Sequence, residues 1–200
     1  MFTVFNTYLC CSLWSVGHNW DSGLDDKNLN VSTFRNGDSI MFAKTDEEWI
    51  KADKNKVPAW CYYDNKAENG AKFGKLYNWH AVSDSRGLAP KGWHIPSNEE
   101  FSKLNETLGG TSAAGKKIKS KQGWKENGNG SDESGLNAYP AGYRYSNVGF
   151  VGISSDAYFW STTEKNTSNA FYYVLSFDGD NFFRLNALKG RGKSIRCIKD

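Results

Sequence analysis

Hydrophobic and polar positions along the 200-residue chain follow three successive patterns. Residues 1–18 carry Phe2, Val4, Phe5, Leu9, Leu13, Trp14 and Val16, a spacing nearer to two than to 3.6, which predicts one or two strands. From residue 45 helical signals take over. Thr45 with Glu48 three positions on forms a capping box ahead of Trp49 and Ile50, and Asp46 and Glu47 suit the positive end of a helix dipole. That helix ends before Pro58, a strand-prone run follows at 59–63, and 64–70 reads as a loop. Leu76, Trp79 and Val82 have helix-like spacing within an apolar segment at 73–82. Ser97 and Glu100 make a second capping box, Phe101, Leu104 and Leu108 fall on one helical face, and Gly109 and Gly110 stop the helix. A shorter helical piece covers 112–119.

Beyond Gly123 the pattern turns to short β-prone runs parted by Gly, Asn, Asp and Ser: 136–139, 143–145, 158–161, 170–177, 182–185 and 194–198. Helices first and strands last predict an α+β domain with two main helices, antiparallel sheets and long loops. No internal repeat or linker divides the chain.

Composition sharpens this picture. Eight Trp, ten Tyr and twelve Phe mean that large rings supply much of the buried area. A net charge of +3 is too weak to imply nucleic acid, and the basic run Lys116, Lys117, Lys119, Lys121 and Lys125 has no interleaved aromatics for stacking bases. The first apolar run is too short and too polar to span a membrane. With no Lys or Arg before Lys27 it also lacks the basic start of a secretory signal, and no signal peptide is evident.

Catalytic motifs are absent: there is no GxGxxG, P-loop, HExxH or GxSxG, and Ser134 lacks the nucleophile-elbow pattern. His18, His80 and His94 have no ligand spacing and read as structural. Asp178, Asp180 and Asn181 offer oxygen ligands but no complete calcium loop, so a polar hairpin turn is expected there. Cys10, Cys11, Cys61 and Cys197 show no CxxC spacing. Buried thiols and a disulfide stand as equal readings for Cys61 and Cys197.

Several segments in order carry a family pattern: 28–31 with 34–38, Pro58-Ala59-Trp60-Cys61-Tyr62-Tyr63, Gly74-Lys75-Leu76-Tyr77-Asn78-Trp79 and the run from Gly87 to Ser97. Glu133-Ser134-Gly135, Pro140-Ala141-Gly142-Tyr143-Arg144, 159–164 and 194–198 continue it. Over residues 19–200 the chain resembles the Fibrobacter succinogenes major paralogous domain family, whereas residues 1–18 match poorly. The resemblance implies a C-type-lectin-like fold, similar to formylglycine-generating enzymes and to retroelement-diversified receptor proteins. It implies a surface, secreted or phage-borne module, with no catalytic activity and no cofactor.

Between the motifs of the last third lie residue types that dominate adaptable paratopes, and Tyr143–Lys189 looks like a variable region ahead of a fixed tail. Asp156, Tyr158, Tyr173, Ser176, Asp178, Asp180, Phe183 and Asn186 are therefore expected to form an exposed patch for a protein or glycan ligand. An enzyme of the formylglycine-generating type, or a structural surface or phage component, is the alternative.

Overall fold

The computed structural model describes residues 28–200; the strand segment expected at 1–18 lies outside them. The chain order is β1 (Met41–Phe42), α1 (Asp46–Lys54), β2 (Ala59–Cys61), a 3-10 turn (Tyr63–Asn65), α2 (Ala67–Phe73), β3 (Leu76–Tyr77), α3 (Trp79–Val82), β4 (Trp93–His94), α4 (Asn98–Thr107) and α5 (Ala114–Ile118). Strands β5 (Ala141–Arg144), β6 (Phe150–Ile153), β7 (Asp156–Glu164), β8 (Asn169–Ser176), β9 (Phe183–Leu188) and β10 (Ile198–Lys199) complete it. The domain is α+β. Its largest sheet runs β6-β5-β7-β8-β9, with smaller sheets β1-β2-β3 and β10-β4. Pairing is mostly antiparallel, with parallel joins at β1–β2 and β5–β7.

Local signals place both long helices. Ser97 Oγ accepts from the Glu100 amide at 3.3 Å and the Glu100 carboxylate accepts from the Ser97 amide at 2.8 Å, closing the box that starts α4. Thr45 caps α1 in the same way, but Glu48 accepts from the Lys44 amide instead. The expected helix-like segment at 73–82 is broken. Gly74, at φ +76, sits with its Cα against the Asn28 carbonyl, where a Cβ would lie 2.6 Å from that oxygen. The chain therefore leaves α2 there, pairs as β3, and restarts as α3 with Asn78 as cap. The run at 136–139 forms no strand, only a bridge between Lys119 and Ala138, and β6 has no counterpart in the expected runs.

Each face of the large sheet packs on something different. In antiparallel pairs, directly opposed residues share a face. Ala157, Phe159, Tyr173 and Leu175 thus project together, and they are buried against Phe101 and Leu104 of α4 and Ile118 of α5. The other face carries Trp160, Tyr172, Ala170 and Ala187, which bury against Trp60, Tyr77 and Trp79 from the first half of the chain. Of the family-motif tryptophans, Trp60, Trp79 and Trp160 are buried while Trp93 is half-buried. Trp79 Nε1 donates to Ser161 O at 2.9 Å and Trp160 Nε1 to Tyr77 O at 3.0 Å, so the two halves are joined by ring burial and by satisfied indole donors.

Candidate ligand-binding site on the tyrosine face of the sheet

The second face of the sheet does not stay covered along its whole length. One row across β7, β8 and β9 is Tyr158–Val174–Phe183, and the next is Trp160–Tyr172–Leu185. Trp160 and Tyr172 are buried, Tyr158 and Val174 are partly exposed, and Phe183 and Leu185 are 48% and 47% exposed. From β5, Tyr143 brings its ring to 4.7 Å from that of Tyr158, and Tyr145 stacks edge-on to Tyr143 at 5.0 Å. Val151 of β6 lies opposite Tyr143 and is also exposed. The result is a strip across the five strands in which Tyr143 and Tyr172 are themselves buried, Tyr158 is partly exposed, and Tyr145, Val151, Phe183 and Leu185 reach solvent. Apolar patches of this kind on an otherwise polar surface mark binding sites.

Backbone geometry holds the strip in place. Gly142 has φ +64, and a Cβ there would lie 2.4 Å from Val151 O, so only glycine lets β5 and β6 approach closely enough to present Tyr143. One residue on, Arg144 points to the opposite side. It is fully buried, paired with Asp46, and held between the rings of Trp49 and Phe150. Alternation along β5 thus sends tyrosine to the strip and an anchoring cation to the side beneath it.

The expected patch is split by this geometry. Asp156, Tyr158, Ser176 and Phe183 do share the tyrosine face, with Asp156 directly opposite Ser176. Burial raises the Asp156 pKa above the usual carboxylate value, against the lowering effect of its bond to Ser176. Tyr173 is corrected: it projects to the other face and is 1% exposed, its ring 4.6 Å from Phe101 and 4.9 Å from Phe182. Its hydroxyl donates to Asn98 O at 3.1 Å, so it is a satisfied core residue and no binding anchor. Asn186 is exposed but lies opposite Phe171, on the face away from the strip.

Asp178 and Asp180 sit in the β8–β9 turn, both exposed. There the Lys119 ammonium donates to Ser176 O at 3.3 Å and to Gly179 O at 2.9 Å and stands 3.5 Å from Asp180. A lysine from the end of α5 thus occupies the centre of this oxygen-rich turn, the position a cation would take. No group of three or more His, Cys, Asp or Glu among the described residues is arranged to hold a metal.

Other titratable groups are engaged in structural roles. His94 Nδ1 is 2.7 Å from Asp200 and Nε2 is 2.8 Å from Glu100, which ties the C-terminus to the start of α4. His80 is 3.3 Å from Asp53. Cys61 and Cys197 are unpaired thiols, which decides their reading, and burial pushes each up to about 12, far from a reactive thiolate. Sequence reasoning missed Tyr143, Tyr145, Tyr172 and Leu185 as members of the strip. The only signal for them was the strand register, which the sequence does not carry.

An α+β domain whose large sheet exposes a tyrosine strip is the class that fold and site define. The chain matches the family model of the Fibrobacter succinogenes major domain over residues 26–199, and it belongs to that family. Comparison with curated proteins and with solved structures finds no match. No helix of the described residues is long and apolar enough to cross a membrane.

Proposed function

We propose that this domain is a ligand-binding module of the C-type-lectin-like kind, a receptor or adhesin displayed on a cell surface or virion, and that the tyrosine strip is its binding face. The observation that carries this reading is the exposure of Phe183 and Leu185 beside Tyr158, Val174 and Tyr145 on one continuous sheet face. Tyrosine combines rigid contact area with a hydroxyl for hydrogen bonding, the property that adaptable binding surfaces select. The span Tyr143–Lys189 supplies most of the strip, while tryptophan and glycine motifs stand behind it. Retroelement-driven variation confined to the exposed positions of that span would retune the ligand and leave the buried scaffold residues of the same strands, such as Phe159, Trp160 and Tyr173, alone. Binding rather than chemistry is supported by the engagement of His80, His94 and both described thiols in ion pairs or in the core.

The test selects a phage-displayed heptapeptide library and a glycan array on the immobilised domain, then repeats both with Phe183→Ala/Leu185→Ala. Both side chains are half in solvent, so the double variant keeps its circular dichroism and its urea midpoint. Loss of the selected ligands by the double variant is the expected result. Equal retention by both proteins refutes the face as the binding site.

A further inference from the structure

Two basic side chains lie among the tyrosines of the strip, and neither has a counter-charge among the described residues. Lys193 is held by a reciprocal backbone pair with Tyr77 and is fully buried. Its Nζ stands 4.0 Å from the ring centre of Tyr172, 4.5 Å from Tyr143 and 5.0 Å from both Tyr158 and Trp160, and it has no hydrogen-bond partner. Arg191 stacks its guanidinium 5.5 Å from the Tyr143 ring and 5.7 Å from the Tyr145 ring, and its buried Nε also lacks a partner. Three other enclosed cations have an acidic partner, although the buried Nε of Arg144 is, like that of Arg191, without a hydrogen-bond partner. Arg144 has Asp46, Lys189 has Glu164, and Lys119 has two carbonyls and Asp180.

A buried donor left unsatisfied destabilises the fold, and of these two side chains only the half-buried Arg191 lies within reach of an acceptor from outside. A half-buried guanidinium beside two tyrosine rings has the planar fork that grips a carboxylate through two parallel N–H bonds. Lys193 adds positive potential from behind, where low local dielectric strengthens it. The rest of the strip decides what carries that carboxylate. Val151, Val174, Phe183 and Leu185 are aliphatic or benzyl surfaces, suited to apolar side chains more than to hydroxyl-rich sugar rings.

We infer that the tyrosine strip binds a peptide segment in which an Asp or Glu, flanked by apolar residues, places its carboxylate on Arg191. This rests on the strip being the ligand face, as proposed above. Arg191 is the residue that touches the ligand, and Lys193 is a positioning residue that acts through the rings and through its charge.

The same random heptapeptide selection reads this out directly. The enriched pool is expected to carry Asp or Glu between apolar residues, and for a selected peptide the Glu→Gln change should weaken binding about tenfold or more. Arg191→Gln should erase that preference, whereas Arg191→Lys should restore part of it. Lys193→Met should lower the affinity of acidic peptides while leaving their Gln counterparts unaffected. Enrichment of uncharged apolar peptides that still need Phe183 and Leu185 overturns the carboxylate inference and leaves the binding face standing. Binding of trigalacturonate on the glycan array with no peptide enriched assigns the carboxylate to a glycan and overturns the peptide partner. If neither probe binds, both readings fall.

Discussion

Replacing Lys193 by methionine should stabilise this domain. The ammonium is wholly removed from water and makes no hydrogen bond. Such burial costs several kcal/mol even after relaxation. Against this stand four rings at 4.0, 4.5, 5.0 and 5.0 Å. A desolvated cation–π contact contributes about 2 kcal/mol or more, but one cation shared among four rings does not gain four such terms. Methionine has nearly the same length, keeps the rings in contact, and gains sulfur–aromatic contacts of about 0.3–1.5 kcal/mol. The balance favours the variant by about 1–3 kcal/mol. With a urea slope of about 2 kcal/mol per molar, the midpoint at neutral pH should rise by about 0.5–1.5 M with the slope unchanged. The pH dependence has a definite sign. Burial first, and then the charge of Arg191, push the Lys193 pKa well below 10.5. The unfolded chain therefore holds a proton that the folded chain sheds between the depressed value and 10.5, and native stability rises with pH through that window. The advantage of Lys193→Met should shrink accordingly as pH climbs towards 10.5. A lower midpoint for the variant, or an advantage that grows with pH, refutes the reasoning. Retention of a destabilising lysine is the usual mark of a residue kept for function.

Tyr173→Ala should cost about 3–5 kcal/mol in urea unfolding, because a buried, hydrogen-bonded ring is lost from the α4 side of the sheet. Phe183→Ala, half in solvent on the other face, should change stability by no more than about 0.5 kcal/mol. Equal losses at the two positions would contradict the assignment of faces. Desolvation of His94 disfavours its charged form, but the bonds and charges of Glu100 and Asp200 outweigh it and raise the His94 pKa above 6.5. That clasp is fully formed below about pH 6.5 and is lost as pH rises through the folded value, so His94→Gln should lower the melting temperature more at about pH 5.5 than at about pH 8.5. Gly142→Ala combines a positive φ with a clash on Val151 O, and should lower stability by more than about 1 kcal/mol, measured as a drop in thermal midpoint.

Features that depend on a few neighbouring residues were legible in the sequence. The Ser97 box, the Thr45 cap and the apolar stripe of Phe101 and Leu104 all act within about a turn of helix, so the helices α1 and α4 lie where the pattern places them. The spacing of glycine, tryptophan and proline motifs carried the family. Of the eight residues expected to form a patch, Asp156, Tyr158, Ser176 and Phe183 share one face of the sheet.

What the sequence left open is which side of a strand faces water. In β8, Tyr172 and Tyr173 are adjacent and chemically identical, and period-two alternation is satisfied whichever one is buried. Register with β7 and β9 decides: it sets Tyr173 beside Phe159, under α4, and Tyr172 beside Trp160, at the edge of the strip. The same holds for Lys193, whose place among four rings needs three separate strands, β5, β7 and β8, to bring Tyr143, Tyr158, Trp160 and Tyr172 together. His94 meets Asp200 only because β4 pairs with β10. Caps and helical stripes are short-range energies written along the chain, whereas faces, registers and cages exist only once distant strands have paired.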